Sequence, residues 1–375
     1  MMRFTTLLKH PADWMSASGK ETSVVLTSRV RLARNLRGFP FPGWARKAQR
    51  QEILQAVKPH VDALTAMKKG FTQELSDLNQ LQKQVLVERH LISREQAARN
   101  EGSASIVNRK QTLSVMVNEE DHLRIQGIRP GLQLKQAYDL ASTADQELEN
   151  HLNLAFHTKW GYLTACPTNL GTGMRASAML HLPGLALSNQ IGQVLKGIDK
   201  LGLAVRGIYG EGTESLGNLY QISNQSTLGE SEEAILERLE RVIRDVARYE
   251  TQAREKLMQT NPLMVRDQIG RAVGILGYAH IISSKEALNH LSMLRLGAET
   301  GIVPEEAVEI CDQLFMETQP AHLQWRGGHK LSPESRDAIR AKMIGGHLQK
   351  VLAPAIHLEE NFEKPETNAP SDSDT

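Results

Sequence analysis

The feature that most constrains this chain is a change of hydrophobic period near residue 230. Before it, Leu113, Val115 and Val117 alternate with Ser114, Met116 and Asn118. A period of two predicts a half-buried strand, and Leu123 and Ile125 resume it after a polar interruption. After Glu230 that signal stops, and Ile235, Leu239, Val242 and Val246 recur at helical spacing. One change of period predicts two units. Within the first, the order is a strand from residue 24 passing into an Arg-dense loop, helices over 46–69 and 72–91, and strand pairs over 104–127. A long helix over 132–157 follows, then a Gly-, Thr- and Pro-rich loop over 158–180, a helix over 188–201, and strands over 203–209 and 218–224. This is no βαβα alternation, so the expected class is α+β: a mostly antiparallel sheet flanked by helices, plus a C-terminal all-helical domain.

The expected boundaries are 22–255 for the first unit and 256–352 for the helical one, with Glu230–Met258 able to bridge them as one helix. Ser283 to Glu286 offers a capping box, and Ser332-Pro333 offers an N-cap with Pro at the first helical position. From Glu359 to Thr375 six acids face one lysine, so residues 353–375 are expected to be a disordered acidic tail.

Charge and cysteine use exclude several classes. Lys+Arg total 44 and Asp+Glu 43, a net of +1. That balance argues against a nucleic-acid coat or a basic membrane-surface protein. Mean hydropathy is -0.36, and no apolar run approaches the length of a transmembrane helix. Residues 1–20 lack an apolar signal core. Cys166 and Cys311 are the two cysteines, too few for a disulfide framework, which points to a reducing cytoplasm. The chain has no G-x-x-x-x-G-K-[ST], no H-R-D, no D-F-G, no C-x-x-C and no H-E-x-x-H. P-loop, ordinary protein-kinase and dedicated zinc chemistry are therefore not expected.

Four constellations carry chemistry. Thr27-Ser28-Arg29-Val30-Arg31 places two guanidinium groups two residues apart, on one face of an extended stretch. Arg grips phosphate oxygens in a bidentate fork, although a solvated basic surface would look the same. Asn118-Glu119-Glu120-Asp121-His122-Leu123-Arg124 sets three acids at a strand end, where desolvation raises carboxylate pKa and favours base chemistry. A plain turn is the alternative. Cys166-Pro167-Thr168-Asn169-Leu170-Gly171-Thr172-Gly173-Met174-Arg175-Ala176-Ser177, continuing through Ala178 and Met179, sets a thiol beside a small-residue loop and an Arg. A buried structural Cys is the alternative. Arg206-Gly207-Ile208-Tyr209-Gly210-Glu211-Gly212 could carry an acid on a flexible loop, or be a hairpin turn with a surface ion pair.

Each motif alone is weak, but their joint order resembles the guanidino phosphotransferase (phosphagen kinase) family over residues 22–255. Within it, the chain is similar to the bacterial protein-arginine kinase branch. The arginine pair begins at Arg29, leaving no room ahead for the helical domain that confines small substrates in the metabolic branch. In addition, Arg336-Asp337-Ala338-Ile339-Arg340-Ala341 resembles that branch's allosteric phosphoarginine motif. On a helix Arg336 and Arg340 share a face and could grip one phosphate; a solvated helix with an ion pair is the plainer alternative. Thr27 stands where Ser is usual.

The resemblance implies transfer of the ATP γ-phosphoryl group to a guanidino nitrogen of protein arginine. Thr27 to Arg31, His90, Arg124, Arg175 to Met179, and Arg206 to Glu211 would hold the nucleotide. Mg²⁺ would be held by phosphate oxygens rather than by protein side chains. Glu120 would be the main base, Glu211 its orienting partner, and Cys166 an electrostatic aid. Arg336, Asp337, Arg340 and Ala341 would form the phosphoarginine pocket. Implied partners are proteins with exposed arginine, an activator of the McsA type, a repressor of the CtsR type, a Clp protease and a second copy of the chain. The implied role is stress-response regulation or marking for degradation. A kinase for free arginine, and a phosphoarginine-binding adaptor with an inactive kinase domain, are the competing readings.

Overall fold

The computed structural model describes residues 2–9, 12–15, 21–208 and 215–352. Tyr209, Gly210, Glu211 and the acidic tail expected at 353–375 lie outside the described residues. The strands are β1 (Val25–Arg34), β2 (Phe71–Glu74), β3 (Ala104–Val107), β4 (Leu113–Val117) and β5 (Leu123–Pro130). They continue with β6 (Phe156–His157), β7 (Gly161–Tyr162), β8 (Met174–His181), β9 (Leu203–Gly207) and β10 (Leu219–Asn224). Eight of them form one sheet in the order β2-β3-β4-β5-β1-β8-β10-β9, and β6 and β7 form a separate hairpin. All neighbouring pairs are antiparallel. The expected α+β class with an antiparallel sheet is thus the observed one.

The two faces of this sheet differ in chemistry because strand side chains alternate. Val30 and Leu32 of β1, Ile125 of β5, and Ala176 and Ala178 of β8 turn to one face. There they are buried with apolar residues of the helices Lys47–Ala63, Leu134–Glu149 and Glu232–Thr260. Gly127 of β5 permits the close approach of one of these helices: a Cβ there would lie 2.2 Å from the Ala137 carbonyl oxygen. The opposite face is covered at the β2–β4 end by Phe4, Leu7, Val85 and Leu86. Trp14, Met15 and Met316 cover Ile128. Between these covers the sheet face stays open.

Several local expectations are corrected. Residues 28–34 are strand, not loop, so the arginines sit inside the sheet rather than beyond it. Residues 174–180 are also strand, because Met174, Ala176, Ala178 and Leu180 supply the buried period that the preceding glycines obscured. The helix expected over 72–91 begins only at Gln80; Phe71–Glu74 is an edge strand. In β4 all five residues are buried, because both faces of the sheet are covered there. Beyond the sheet, Glu232–Thr260 is one 29-residue helix running across the boundary expected at 255. Ser283 accepts from Glu286 N at 3.2 Å and Ser332 from Ser335 N at 3.1 Å, as N-caps do. Five helices from Pro262 to Leu352 follow, with Leu288, Leu291, Leu294, Leu314, Ile344 and Leu348 in their core.

Candidate active site

The open sheet face gathers five arginines from four strands. Directly opposed residues of antiparallel strands share a face. Arg31 of β1 stands opposite Arg175 of β8 and Gln126 of β5; Arg29 stands opposite Ser177 and Ile128. Arg124 lies two residues from Gln126 on β5, and Arg206 of β9 stands opposite Gln221 of β10. Arg29, Arg31, Arg124, Arg175 and Arg206 all line one cleft of about 660 Å³, together with Glu120, Gly207, Ile208 and Gln221. Its volume suits a nucleotide-sized ligand.

Only one of these arginines is neutralised in place among the described residues. Arg124 is held by both carboxylate oxygens of Glu119 at 2.6 Å. Among the described residues, Arg29, Arg31, Arg175 and Arg206 have no carboxylate within ion-pair distance. Arg29 donates to Gln221 Oε1 at 2.9 Å and Arg175 to Ser223 Oγ at 3.4 Å. Arg31 Nε is buried with no hydrogen-bond partner. Burial, then Arg124 and Arg175, lower Arg29 to about 10. Burial and the same neighbours, with Arg29, lower Arg31 further. Unpaired, mutually repelling cations with an orphaned donor make a site that is completed by an anion.

The acids form the other wall. Asn118 adopts φ 54 and its N–H donates to the His122 carbonyl oxygen, so the segment is a tight turn as well as a site. Burial pushes Glu119 up, but Arg124 and the hydrogen bonds from Ser93 and Arg124 prevail and leave it lowered. It is an ionised clamp for Arg124, a role that pattern reading missed. Its signal was in plain sight: an acid followed five residues later by Arg across a hairpin. Glu120 faces the cleft, and burial followed by Asp121 raises it. Asp121 is raised by burial, and its carboxylate accepts from Asn35 Nδ2 at 2.6 Å and from Ala165 N at 2.7 Å. The latter bond ties the acidic turn to the Cys166 segment. Cys166 is partly exposed rather than buried, and its Sγ lies 3.1 Å from Thr168 Oγ1.

The other expected residues are placed as follows. Thr27, His90, Ser177 and Met179 line a narrow crevice beside Arg29 and Ile208. His90 ends the helix Gln80–Glu88 with φ 56, and burial, then Arg29, lower it to about 3, so it is neutral. Val30, Ala176 and Ala178 turn to the apolar face. Ser28 is buried, accepts from Gln133 N at 2.9 Å and donates to the Gly131 carbonyl at 2.8 Å. Phe41, Gly43, Trp44, Ser93, Glu95 and Arg99 also line the cleft, and sequence reading had not named them. In the helix Pro333–Leu352, Arg340 is buried and donates to the carbonyls of Thr318 and Ile282, to Asp337 and to Ser284 Oγ. Ala341 is in the core, while Arg336 is partly exposed and donates to the Leu331 carbonyl at 3.3 Å.

Comparison with known proteins decides the family. Residues 52–253 match "ATP:guanido phosphotransferase, C-terminal catalytic domain", and residues 262–360 match "Protein-arginine kinase McsB C-terminal domain". A protein-arginine kinase of Halothermothrix orenii is 46% identical over 336 residues, covering 90% of this chain and 96% of that one. One of Moorella thermoacetica is 45% identical over 340 residues, covering 90% and 97%. The chain belongs to the protein-arginine kinase family. Among solved structures, a lombricine kinase superposes with TM-score 0.54 at 25% identity, over 65% of this chain and 70% of that chain. The duplicated taurocyamine kinase of Schistosoma mansoni superposes with TM-score 0.57 at 22% identity, over 88% and 52%. The sheet of this protein-arginine kinase family member is therefore the phosphagen-kinase sheet. Arg29 and Arg31 precede the matched range, yet the fold sets them at its centre.

Proposed function

We propose that this chain transfers the ATP γ-phosphoryl group to a guanidino nitrogen of arginine residues in proteins. The observation that carries this is the set of five arginines, four of them without a carboxylate partner among the described residues, that lines one cleft with Glu120. Phosphoryl transfer is mainly positioning and charge stabilisation. Arg29, Arg31, Arg124, Arg175 and Arg206 hold the phosphates and stabilise charge on the equatorial oxygens. His90, Thr27 and Met179 border the nucleotide. Bound on the phosphate oxygens, Mg²⁺ supplies further charge neutralisation. A guanidinium has no available lone pair. As nitrogen attacks phosphorus, Glu120 accepts the N–H proton, the N–P bond forms, and the bond to the ADP oxygen breaks. The raised pKa of Glu120 suits that task. Glu211 is its proposed orienting partner, and Cys166 adds negative potential near Arg175.

On this reading residues 22–255 are the catalytic domain and 256–352 a domain for dimerisation and phosphoarginine binding, where Arg336 and Arg340 would rearrange to admit a phosphate. No described helix is long and apolar enough to cross a membrane, and a cytoplasmic site of action is proposed. The test offers ATP–Mg²⁺ with free L-arginine and with an unfolded arginine-bearing protein side by side. Acid-labile phosphate on protein arginine is expected, reduced by about two orders of magnitude in Glu120→Gln. Phosphorylation of free arginine alone would move the chain to small-substrate kinases. Activity seen only on adding an McsA-type protein would establish that partner. A CtsR-type repressor and a Clp protease enter as candidate substrate and reader in the same assay.

A further inference from the structure

Besides the strand arginines, the cleft is lined by the aromatic residues Phe41 and Trp44, by Glu95 and Glu120, and by Arg99. Trp44 is 86% exposed, the most exposed of the large hydrophobic side chains described. It is nevertheless firmly mounted. Trp44 N donates to the Phe41 carbonyl at 2.8 Å, Ala45 N to the same oxygen at 2.9 Å, and Arg50 to the Ala45 carbonyl at 2.7 Å. The loop root is pinned from the acidic turn itself. His122 Nδ1 accepts from Leu36 N at 2.9 Å, so Nε2 carries the hydrogen and donates to the Pro40 carbonyl at 2.9 Å. These bonds fix the backbone of the loop, and an indole left with its surface in water has no packing role to perform. Glu95, exposed and lining the same cleft, is near enough to raise Glu120.

An arginine residue inside a polypeptide offers neither a free amino group nor a free carboxylate. Only its stem and its guanidinium remain to be gripped. A stem of methylenes lies well along an indole, and a guanidinium stacks on its face. We infer that Trp44 and Glu95 form a receiving subsite for the side chain of a polypeptide arginine, with Trp44 stacking on it and Glu95 drawing the guanidinium toward Glu120. This rests on the functional reading above. Trp44 is a positioning residue and does not touch the transferred phosphoryl group.

The experiment has two arms. In the kinetic arm, wild type, Trp44→Phe, Trp44→Ala and Glu95→Gln phosphorylate an unfolded arginine-bearing protein. Trp44→Ala is expected to raise KM by roughly threefold to thirtyfold with kcat nearly unchanged, Trp44→Phe to recover most of the loss, and Glu95→Gln to raise KM alone. In the binding arm, tryptophan fluorescence is followed as that protein is added, with its citrulline-converted form as control. A change in wild type that vanishes in Trp44→Phe and with the citrulline form supports the subsite. Unchanged KM in Trp44→Ala, or a fluorescence change that survives in Trp44→Phe, overturns it. If wild type transfers no phosphate even with an McsA-type protein added, the functional reading fails, and the binding arm still decides the subsite.

Discussion

Arg31 in the cleft and Arg295 in the helical region carry the same side chain under opposite conditions. Arg31 faces other arginines and keeps an unpartnered Nε, and its pKa falls. Arg295 is wholly buried and donates to Asp312 at 2.8 Å and to the carbonyls of Ser23 and Thr22, with Glu299 at 3.3 Å. Burial pulls its pKa down, but Asp312 and Glu299 outweigh burial and leave it raised. A saturated arginine holds the fold together. An unsaturated one is held by the fold for something else. Arg340 resembles Arg295 in this state, since four of its five N–H donors meet acceptors within the chain.

Breaking this comparison starts with Arg295→Met. Removing one partner strands Asp312 and Glu299 in the interior, and about 3–5 kcal/mol of stability should be lost, read from the denaturation midpoint. Arg31→Met should do the reverse. Activity should fall about 10²- to 10³-fold, while the thermal midpoint holds or rises because crowded cations are relieved. A collapse of that midpoint would show that Arg31 is a structural arginine after all.

Acid should sharpen the same contrast through the histidines. His181 is lowered by burial, Arg295 and Arg254, and His122 by burial against the Pro40 bond. Both are neutral in the fold and take up protons more readily when unfolded. Their contribution is therefore present above the unfolded value of about 6.5 and is lost as pH falls toward the folded values. Each should remove about 1.4 kcal/mol per pH unit in that window, and His181→Gln should flatten the slope in calorimetric titration. The smallest effect is expected from Asp121→Asn. Asp121 raises Glu120, so the acid limb of kcat/KM should move to lower pH, while Asn keeps an oxygen for Ala165 N. An unmoved limb would separate Glu120 from the observed titration.

Much of the sheet was readable because alternation is local. Leu113 to Val117 and Leu203 to Gly207 announce strands in their own few residues. Residues 174–180 were hidden because the loop-forming Gly171 and Gly173 dominate the composition there. All five arginines were named in motifs whose order pointed to phosphoryl chemistry, Arg124 among them beside its acids. Glu119 was passed over because three acids adjoin in the turn, and which of them meets Arg124 is set by the folded hairpin. Trp44 carries no pattern, since exposure is a property of what surrounds a residue.

The period change near residue 230, the arginine spacing and the acidic turn were determined by the sequence alone, for each depends on neighbours within one strand or helix turn. Only the tertiary structure decided that Arg31 and Arg175, 144 residues apart in the chain, stand side by side, and that Arg340 is buried with its guanidinium bonded to Thr318, Ile282 and Ser284. The physical reason is register. Antiparallel pairing brings distant residues opposite one another, and packing against the whole sheet sets which donors find partners within the chain and which are left for a ligand.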